Sequence, residues 1–389
     1  MKKILSVMLV SALLLCCSCR SPEKGQPLKE EKEIGYINGV WMSYIEIDSM
    51  IKSGNFEKSF DEALEKCGSL HITDIFFHTV PFCDAYYKSD IYPQRGADIL
   101  DIAVKAAHEK GIRLHAWINP YRVKTGGNDV SSIPAESPAY RWLNDKSAEN
   151  DKNVAFTETG IYLDPSSFEV RQTVINAVRE LCRSHNVDGI HFDDYFYPVP
   201  DASFDEKSYS EYSENNETPL SLGDYRRASV NALISGCYTA IKFIDKDILF
   251  SVSPAADITK NLESYYADVS SWCQSGCVDI LIPQAYFGFC YPIEKFCFGN
   301  LLSEWKSVTA GSDTRLCMGL AAYKEGTDAS PDCEEWKTAE DIISREAQLC
   351  INDKEISGQV FYSYSSLFSD EELHSRCRKN LSAVLDSMP

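Results

Sequence analysis

Residues 187–198 read VDGIHFDDYFYP, an apolar run that ends in two adjacent carboxylates and a cluster of aromatic rings. Side chains along a strand alternate between its two faces. Counting from Gly189, His191, Asp193 and Tyr195 share one face, while Ile190, Phe192 and Asp194 share the other. In a closed parallel barrel, Asp193 then projects toward the mouth and Asp194 opens the loop that follows. The C-terminal ends of barrel strands are where such folds keep their acids and bases. An aspartate pair taken alone is equally at home in a solvated turn or a cap, so its meaning depends on the rest of the chain.

On either side of this stretch, apolar runs of strand length alternate with longer amphipathic segments. The strand candidates are 39–45, 73–80, 113–118, 187–193, 249–253, 278–283, 316–320 and 358–362, with helical stretches such as 99–110, 170–184, 225–244 and 339–351 between them. Eight strands, each followed by a helix, is the count of a (β/α)8 TIM barrel. An open doubly wound sheet gives a similar alternation. Two strand-to-helix connections are long, 119–165 and 195–223, and both follow C-terminal strand ends, where they can wall a cleft.

The chain begins Met1, Lys2, Lys3 and runs on through an almost unbroken apolar segment from Ile4 to Cys17. A basic start before a short apolar run has the form of a secretory signal, and it is shorter than the roughly 20 residues that span a bilayer. Ser18-Cys19 resembles the cleavage point of a bacterial lipoprotein signal, with Cys19 as the lipidated residue. Cys16, three positions earlier, stands where such signals usually carry Leu, so plain secretion is the alternative. Residues 20–35, RSPEKGQPLKEEKEIG, read as a polar tether. This divides the chain into a signal (1–19), a flexible linker (20–35) and one domain (36–389), located in the cell envelope as a lipoprotein facing outward.

The net charge of −20 argues against nucleic acid as a partner. Of the 15 cysteines, Cys16, Cys17 and Cys19 belong to the signal. The others are scattered. Cys273 with Cys277 and Cys290 with Cys297 are the only close pairs, no zinc spacing appears, and several, such as Cys182, Cys237 and Cys317, fall in apolar runs as small buried hydrophobes. No metal or cofactor is called for, and no EF-hand spacing is present.

The strand ends share a theme. The first is followed by Glu46 and Asp48; the second by His78 and Asp84 amid Tyr86, Tyr87 and Tyr92; the third offers His115, Trp117, Asn119 and Arg122. The sixth ends in Gln284 and Tyr286, and the seventh in Tyr323 and Lys324. Carboxylates supply acid, base or nucleophile for glycosidic cleavage, rings stack on sugar faces, and amides and Arg hold hydroxyls. Each residue has a plain alternative: His115 as a hydrogen-bonded core residue, Trp117 as barrel filling, Tyr86 and Tyr87 as cover. Their recurrence at one end of successive strands favours a polar, aromatic-lined cleft.

The blocks GVWMSYIEID, CDAYYKSDIYP, HAWINPYRV, YLDPSSFEVRQ, VDGIHFDDYFYP, DYRRASVN, DILIPQAYF and GLAAYK follow in order the pattern of the glycosyl hydrolase-like 10 family, which the chain resembles from about residue 39 to 366. The resemblance implies a TIM-barrel glycosidase-like domain of an exported protein or lipoprotein, acting on bacterial cell-wall glycan strands. On the family's blocks lie Asp193 and Asp194, then His115, Asn119 and Arg122, and finally Gln284 and Tyr286. The chain departs from the pattern at His78, where many members have Arg, and in the fifth strand, SVSPAADI.

A fainter similarity links the fourth strand to the DGxDxDxE frame of family 18 chitinases, which here reads Asp188, His191, Asp193, Tyr195. Tyr195 replaces the terminal acid, so that chemistry does not carry over unchanged. Glycosidic cleavage ordinarily uses a second carboxyl, about 5–5.5 Å away for retention and about 6.5–9.5 Å for inversion. Glu46, Asp84 and Asp194 are the available partners of Asp193, and a substrate 2-acetamido group is a further nucleophile. The expected protein is a glycosidase with Asp193 as acid/base and Asp194 or Glu46 as its partner; His191, Tyr195 and the strand-end residues named above bind a polysaccharide or oligosaccharide. A carbohydrate-binding lipoprotein without catalysis, and a hydrolase of dietary or host polysaccharide, are the alternatives.

Overall fold

The computed structural model describes residues 34–194, 196–327, 333–368 and 372–388. The proposed signal, Cys19 and almost all of the linker lie outside these residues, as does Tyr195. Eleven strands form among the described residues: β1 (Ile37–Met42), β2 (Asp74–Val80), β3 (Arg113–Ile118), β4 (Arg122–Thr125), β5 (Val154–Phe156), β6 (Gly160–Leu163), β7 (Gly189–Phe192), β8 (Leu249–Val252), β9 (Ile280–Leu281), β10 (Arg315–Leu320) and β11 (Gly358–Phe361). Eight of them, all parallel, close into a barrel in the order β1-β11-β10-β9-β8-β7-β3-β2. This is the (β/α)8 fold, and the alternation of the open sheet is excluded by the pairing of β1 with β11.

Helices surround the barrel because their apolar stripes match its outer face. In the helix Phe168–Ser184, Val170, Val174, Ala177, Val178 and Leu181 recur at helical spacing and are buried, and Ser167 caps the start by accepting from the Val170 N–H at 3.3 Å. Leu222–Ile244 packs beside it with Val230, Leu233, Ile234, Cys237 and Ile241 buried. Cys182, Cys237 and Cys317 are buried fillers, and all twelve described cysteines are free thiols.

Inside the barrel, alternate residues of each strand point inward. Asp74, Phe76 and His78 of β2 meet His115 and Trp117 of β3 and His191 of β7. Gly189 is obligatory there: it pairs with His115, and a Cβ at position 189 would stand 2.2 Å from His115 Nδ1. The glycine of the VDGIHF stretch thus makes room for a histidine on the neighbouring strand.

Three expectations are corrected. The first strand ends at Met42, not residue 45, because Ser43 caps a helix, Tyr44–Lys52, through a capping box with Glu46. The sixth barrel strand shrinks to Ile280–Leu281; Pro283 brings no N–H to the ladder, and pairing resumes only as isolated bridges at Gln284. The connection 119–165 is not loop alone, since β4, β6 and β5 make an antiparallel sheet with a helix, Pro138–Asn144, between them. It packs against the connection 195–223: Ser208 Oγ donates to Asp164 Oδ2 at 2.6 Å, and behind them Arg226 Nε donates to Asp205 Oδ2 at 2.9 Å in a fully buried pair.

Candidate active site

A cleft of about 370 Å³ opens at the C-terminal end of the barrel. Every barrel strand contributes to its lining: Trp41, Ser43, Tyr44 and Ile45 from and after β1, His78 from β2, Trp117 from β3 with Arg122 beyond it, Asp193 and Asp194 after β7, Ser253 after β8, Gln284 and Tyr286 after β9, Tyr323 after β10, and Tyr362 after β11. Of the two long connections, only Arg122 among the described residues reaches the lining, so they wall the cleft far less than their length suggests.

The carboxylates are held differently. Asp193 is buried, and its Oδ2 accepts from Trp117 Nε1 at 3.2 Å. The Trp117 ring is itself fixed by a face-to-face stack on His78, centroids 3.6 Å apart with a 9° interplanar angle. Asp194 accepts from Gln284 Nε2 at 2.9 Å. Burial pushes the Asp194 carboxyl above the usual carboxylate range, against the opposing pull of the Gln284 hydrogen bond and the Arg122 and Lys260 charges. Two neighbouring carboxyls, one with a raised pKa, facing a cleft lined by tyrosines, can carry out acid-base chemistry on a polyol or glycoside.

Aromatic rings form the far wall. Tyr286, Tyr323 and Tyr362 surround one another with centroids 6.0–6.1 Å apart. Arg122 lies over the Phe82 ring at 4.7 Å, and Phe82 meets Tyr44 edge-on at 5.0 Å. Lys324 does not open on the cleft. Its Nζ donates to the Tyr286 carbonyl at 2.8 Å and sits near the Tyr323 and Trp336 rings, so it supports the wall from behind, where burial lowers its pKa.

Several residues expected at the site stand elsewhere. His115 is fully buried below the mouth, stacked on Phe76 at 4.6 Å with Nε2 2.8 Å from Asp74 Oδ1, while Asp74 accepts two hydrogen bonds from Arg113 at 2.7 Å. It is a core histidine, because position 115 lies two residues before the strand's cleft-facing end. His191 is likewise interior: Trp41 Nε1 donates to its Nε2 at 3.0 Å, so its Nδ1–H donates to Ser251 Oγ at 2.8 Å. Burial keeps that ring neutral, with a pKa well below the ordinary histidine value.

Glu46 sits behind the lip. Its Oε2 accepts from the Ser43 N–H at 3.0 Å and from the Ser43 hydroxyl, and its Oε1 accepts from the Ser363 hydroxyl at 2.9 Å and from the Ser365 hydroxyl at 2.7 Å. With both oxygens engaged and outside the lining, it ties the start of the first helix to the end of β11. Asp84 is also behind the lining, accepting from Arg95 Nη1 at 2.9 Å and from the Phe82 N–H at 3.2 Å. Asn119 is buried, with Nδ2 2.8 Å from His78 Nε2, and supports that ring. Tyr195 lies outside the described residues. Trp41, Ser43, Tyr44, Ile45, Ser253 and Tyr362 were not foreseen. Trp41 and Tyr362 carried a signal, being aromatics at alternating positions of apolar runs, whereas Ser43 and Ser253 carried none.

Comparison with known proteins agrees with this geometry. The glycosyl hydrolase-like 10 family model matches residues 36–337. The glycosyl hydrolase DigH of Escherichia coli O6:H1 is 27% identical, with 91% of each chain covered. The glycosyl hydrolase YngK of Bacillus subtilis is 24% identical, covering 85% of this chain and 68% of its own. Among solved structures, α-L-fucosidase isoenzyme 2 from Paenibacillus thiaminolyticus superposes with a TM-score of 0.58 at 13% identity over 90% of this chain, which spans about half (49%) of the fucosidase; this likeness concerns the fold. A parallel barrel, a carboxylate pair at the end of its fourth strand and a family match over most of the chain converge on a glycosidase-type protein. The chain belongs to the glycosyl hydrolase-like 10 family.

Proposed function

We propose that the protein is an exported, lipid-anchored glycoside hydrolase that cleaves a glycan of N-acetylated sugars, namely peptidoglycan glycan strands, with Asp193 as the essential acid/base and Asp194 as its partner. The observation that carries the reading is the placement of both carboxylates in one tyrosine-lined cleft, where Asp193 is oriented by the Trp117 indole N–H and Asp194 by the Gln284 amide. Family membership supports glycoside chemistry; the cell-wall substrate rests on the resemblance of the sequence blocks. The anchor rests on the apolar segment ending at Ser18-Cys19.

The test is release of reducing ends from a panel of purified peptidoglycan glycan strands, chitooligosaccharides, and plant and host polysaccharides. Turnover is expected on the wall glycan. Asp193→Asn keeps the side chain's shape but cannot exchange a proton, so turnover should fall by about 10²–10⁴ while glycan binding survives. A folded Asp193→Asn protein with near wild-type turnover refutes the assignment; binding of glycan with no cleavage by wild type identifies a carbohydrate-binding protein instead. For the anchor, mass spectrometry of the mature protein should find a lipidated N-terminal Cys19, and Cys19→Ser should release the protein from membranes. An unmodified terminus further downstream means simple secretion.

A further inference from the structure

The connections that follow β9 and β10 are held against each other by a seam that the glycosidase reading does not use. Across the seam the Cys290 N–H donates to Glu335 Oε2 at 2.8 Å, and within the connection after β10 the Gly326 N–H donates to the Trp336 carbonyl at 2.6 Å. Packing in the seam is tight: a Cβ at Gly288 would stand 2.5 Å from Glu335 Oε2 and 3.5 Å from the Trp336 ring. In the same seam the Cys333 thiol donates to the carbonyl oxygen of Cys290, with Sγ and O 3.3 Å apart, and Sγ lies 3.9 Å from Glu335 Oε2.

The Cys333 sulfur is therefore lodged against the backbone of another cysteine. A disulfide needs Cα atoms within about 4.4–6.8 Å and Cβ vectors that converge. The contact of the Cys333 sulfur with the Cys290 carbonyl makes the two residues direct neighbours across the seam, and Cys290 is exposed. The exposures are complementary. Cys290 is open to a small oxidant, whereas Cys333 is 4% exposed and burial pushes its thiol up, which holds it protonated until a partner sulfur arrives.

We propose that Cys290 and Cys333 are a disulfide-forming pair, a cross-link site joining the wall that carries Gln284 and Tyr286 to the wall that carries Tyr323. The Cys290 thiolate attacks one sulfur of a small-molecule disulfide such as oxidised glutathione, forming a mixed disulfide and releasing a glutathione thiolate that takes up the proton Cys290 lost. Cys333 then passes its proton to Glu335 or water, and its thiolate attacks the Cys290 sulfur and expels the second glutathione thiolate, which is protonated in turn. Two protein thiols are oxidised to one disulfide, and the glutathione disulfide is reduced to two thiols. Cys297 is the competitor, being half-buried with its Sγ 3.5 Å from the Tyr291 carbonyl. Cys67, Cys83, Cys237, Cys317 and Cys350 are buried from any such oxidant.

The experiment needs neither the glycan nor catalysis. The full chain is equilibrated in buffers of oxidised and reduced glutathione, quenched in acid, alkylated and mapped by mass spectrometry without reduction. The expected result is one linked peptide pair joining Cys290 to Cys333, and a melting temperature on the order of 5 °C above that of the reduced protein. Cys290→Ala, at an exposed position, should abolish both while melting like the reduced wild type in reducing buffer. Any of three results overturns the proposal: both cysteines fully alkylated in excess oxidised glutathione, Cys290 held as a stable glutathione adduct, or Cys290 linked to Cys297.

Discussion

At the residue scale, the question left by the sequence is which carboxyl works with Asp193. Among the described residues, only Asp193 and Asp194 are carboxylates lining the cleft. Asp84 is spent on Arg95, and Glu46 on Ser43, Ser363 and Ser365. Burial also moves Asp194 toward its protonated form, as suits a carboxyl that works with Asp193 in proton transfer. Asp194→Asn is therefore predicted to be as damaging as Asp193→Asn, a loss of about 10²–10⁴ in turnover with the fold intact. Turnover within about tenfold of wild type in a folded Asp194→Asn protein would reduce this residue to one that merely orients its neighbour.

At the scale of the element, the end of β1 shows how a local signal was misread. YIEID looks like a strand continuing into a polar tip, yet Ser43 followed three residues later by Glu46 is a capping box, and the chain turns into a helix there. The same carboxylate then clamps the start of that helix to the turn after β11, residues far apart in the sequence. Glu46→Gln would place an amide donor against a set of donors. The predicted cost is about 2 kcal/mol of stability, measured by urea unfolding, with turnover of the remaining folded protein within a few-fold of wild type. A fully stable variant with turnover lost by about 10² or more would return Glu46 to the chemistry.

At the scale of the whole molecule, the barrel interior is polar enough to make stability depend on pH. His78 and His191 are buried and neutral, with pKa values held well below the ordinary one, by burial first and, for His78, then by the neighbouring Arg122 and Arg95 charges. A histidine whose folded pKa is depressed takes up its proton in the unfolded chain before the folded one, so its contribution to stability is lost as pH falls below about 6.5. Each should cost about 1.4 kcal/mol between pH 7.5 and 5.5. Buried carboxyls titrate in the opposite sense. Asp164, raised to about 6, and Glu346, raised well above the usual range, lose their contribution as pH rises through their folded values. The prediction is thus a difference: His191→Gln should lose about 1.4 kcal/mol less than wild type over that interval in urea melts. Equal losses in the two proteins would mean that His191 takes up its proton in the folded state as readily as in the unfolded chain.

The sequence alone determined an alternation of eight strands with helices, because apolar runs separated by helical stripes leave few ways to bury both, while closure into a barrel was decided by the pairing of β1 with β11. The sequence also determined that Asp193 and Asp194 end the fourth strand, because a period of two assigns faces without reference to any partner. It also placed Trp117, Arg122, Gln284, Tyr286 and Tyr323 at strand ends that the barrel gathers into one cleft. Depth was a matter for the tertiary structure. His115 and His191 share the inward face with Trp117 and Asp193, but they lie a layer lower, and the stagger of closed strands that sets the layers is a property of the barrel and of no single segment. The fates of Glu46, Asp84 and Lys324 were likewise decided by contacts across long sequence separations, with Ser363, Arg95 and the Tyr286 carbonyl. A carboxylate or ammonium is functional or structural according to which donors and acceptors fold against it, and local spacing carries no record of those partners.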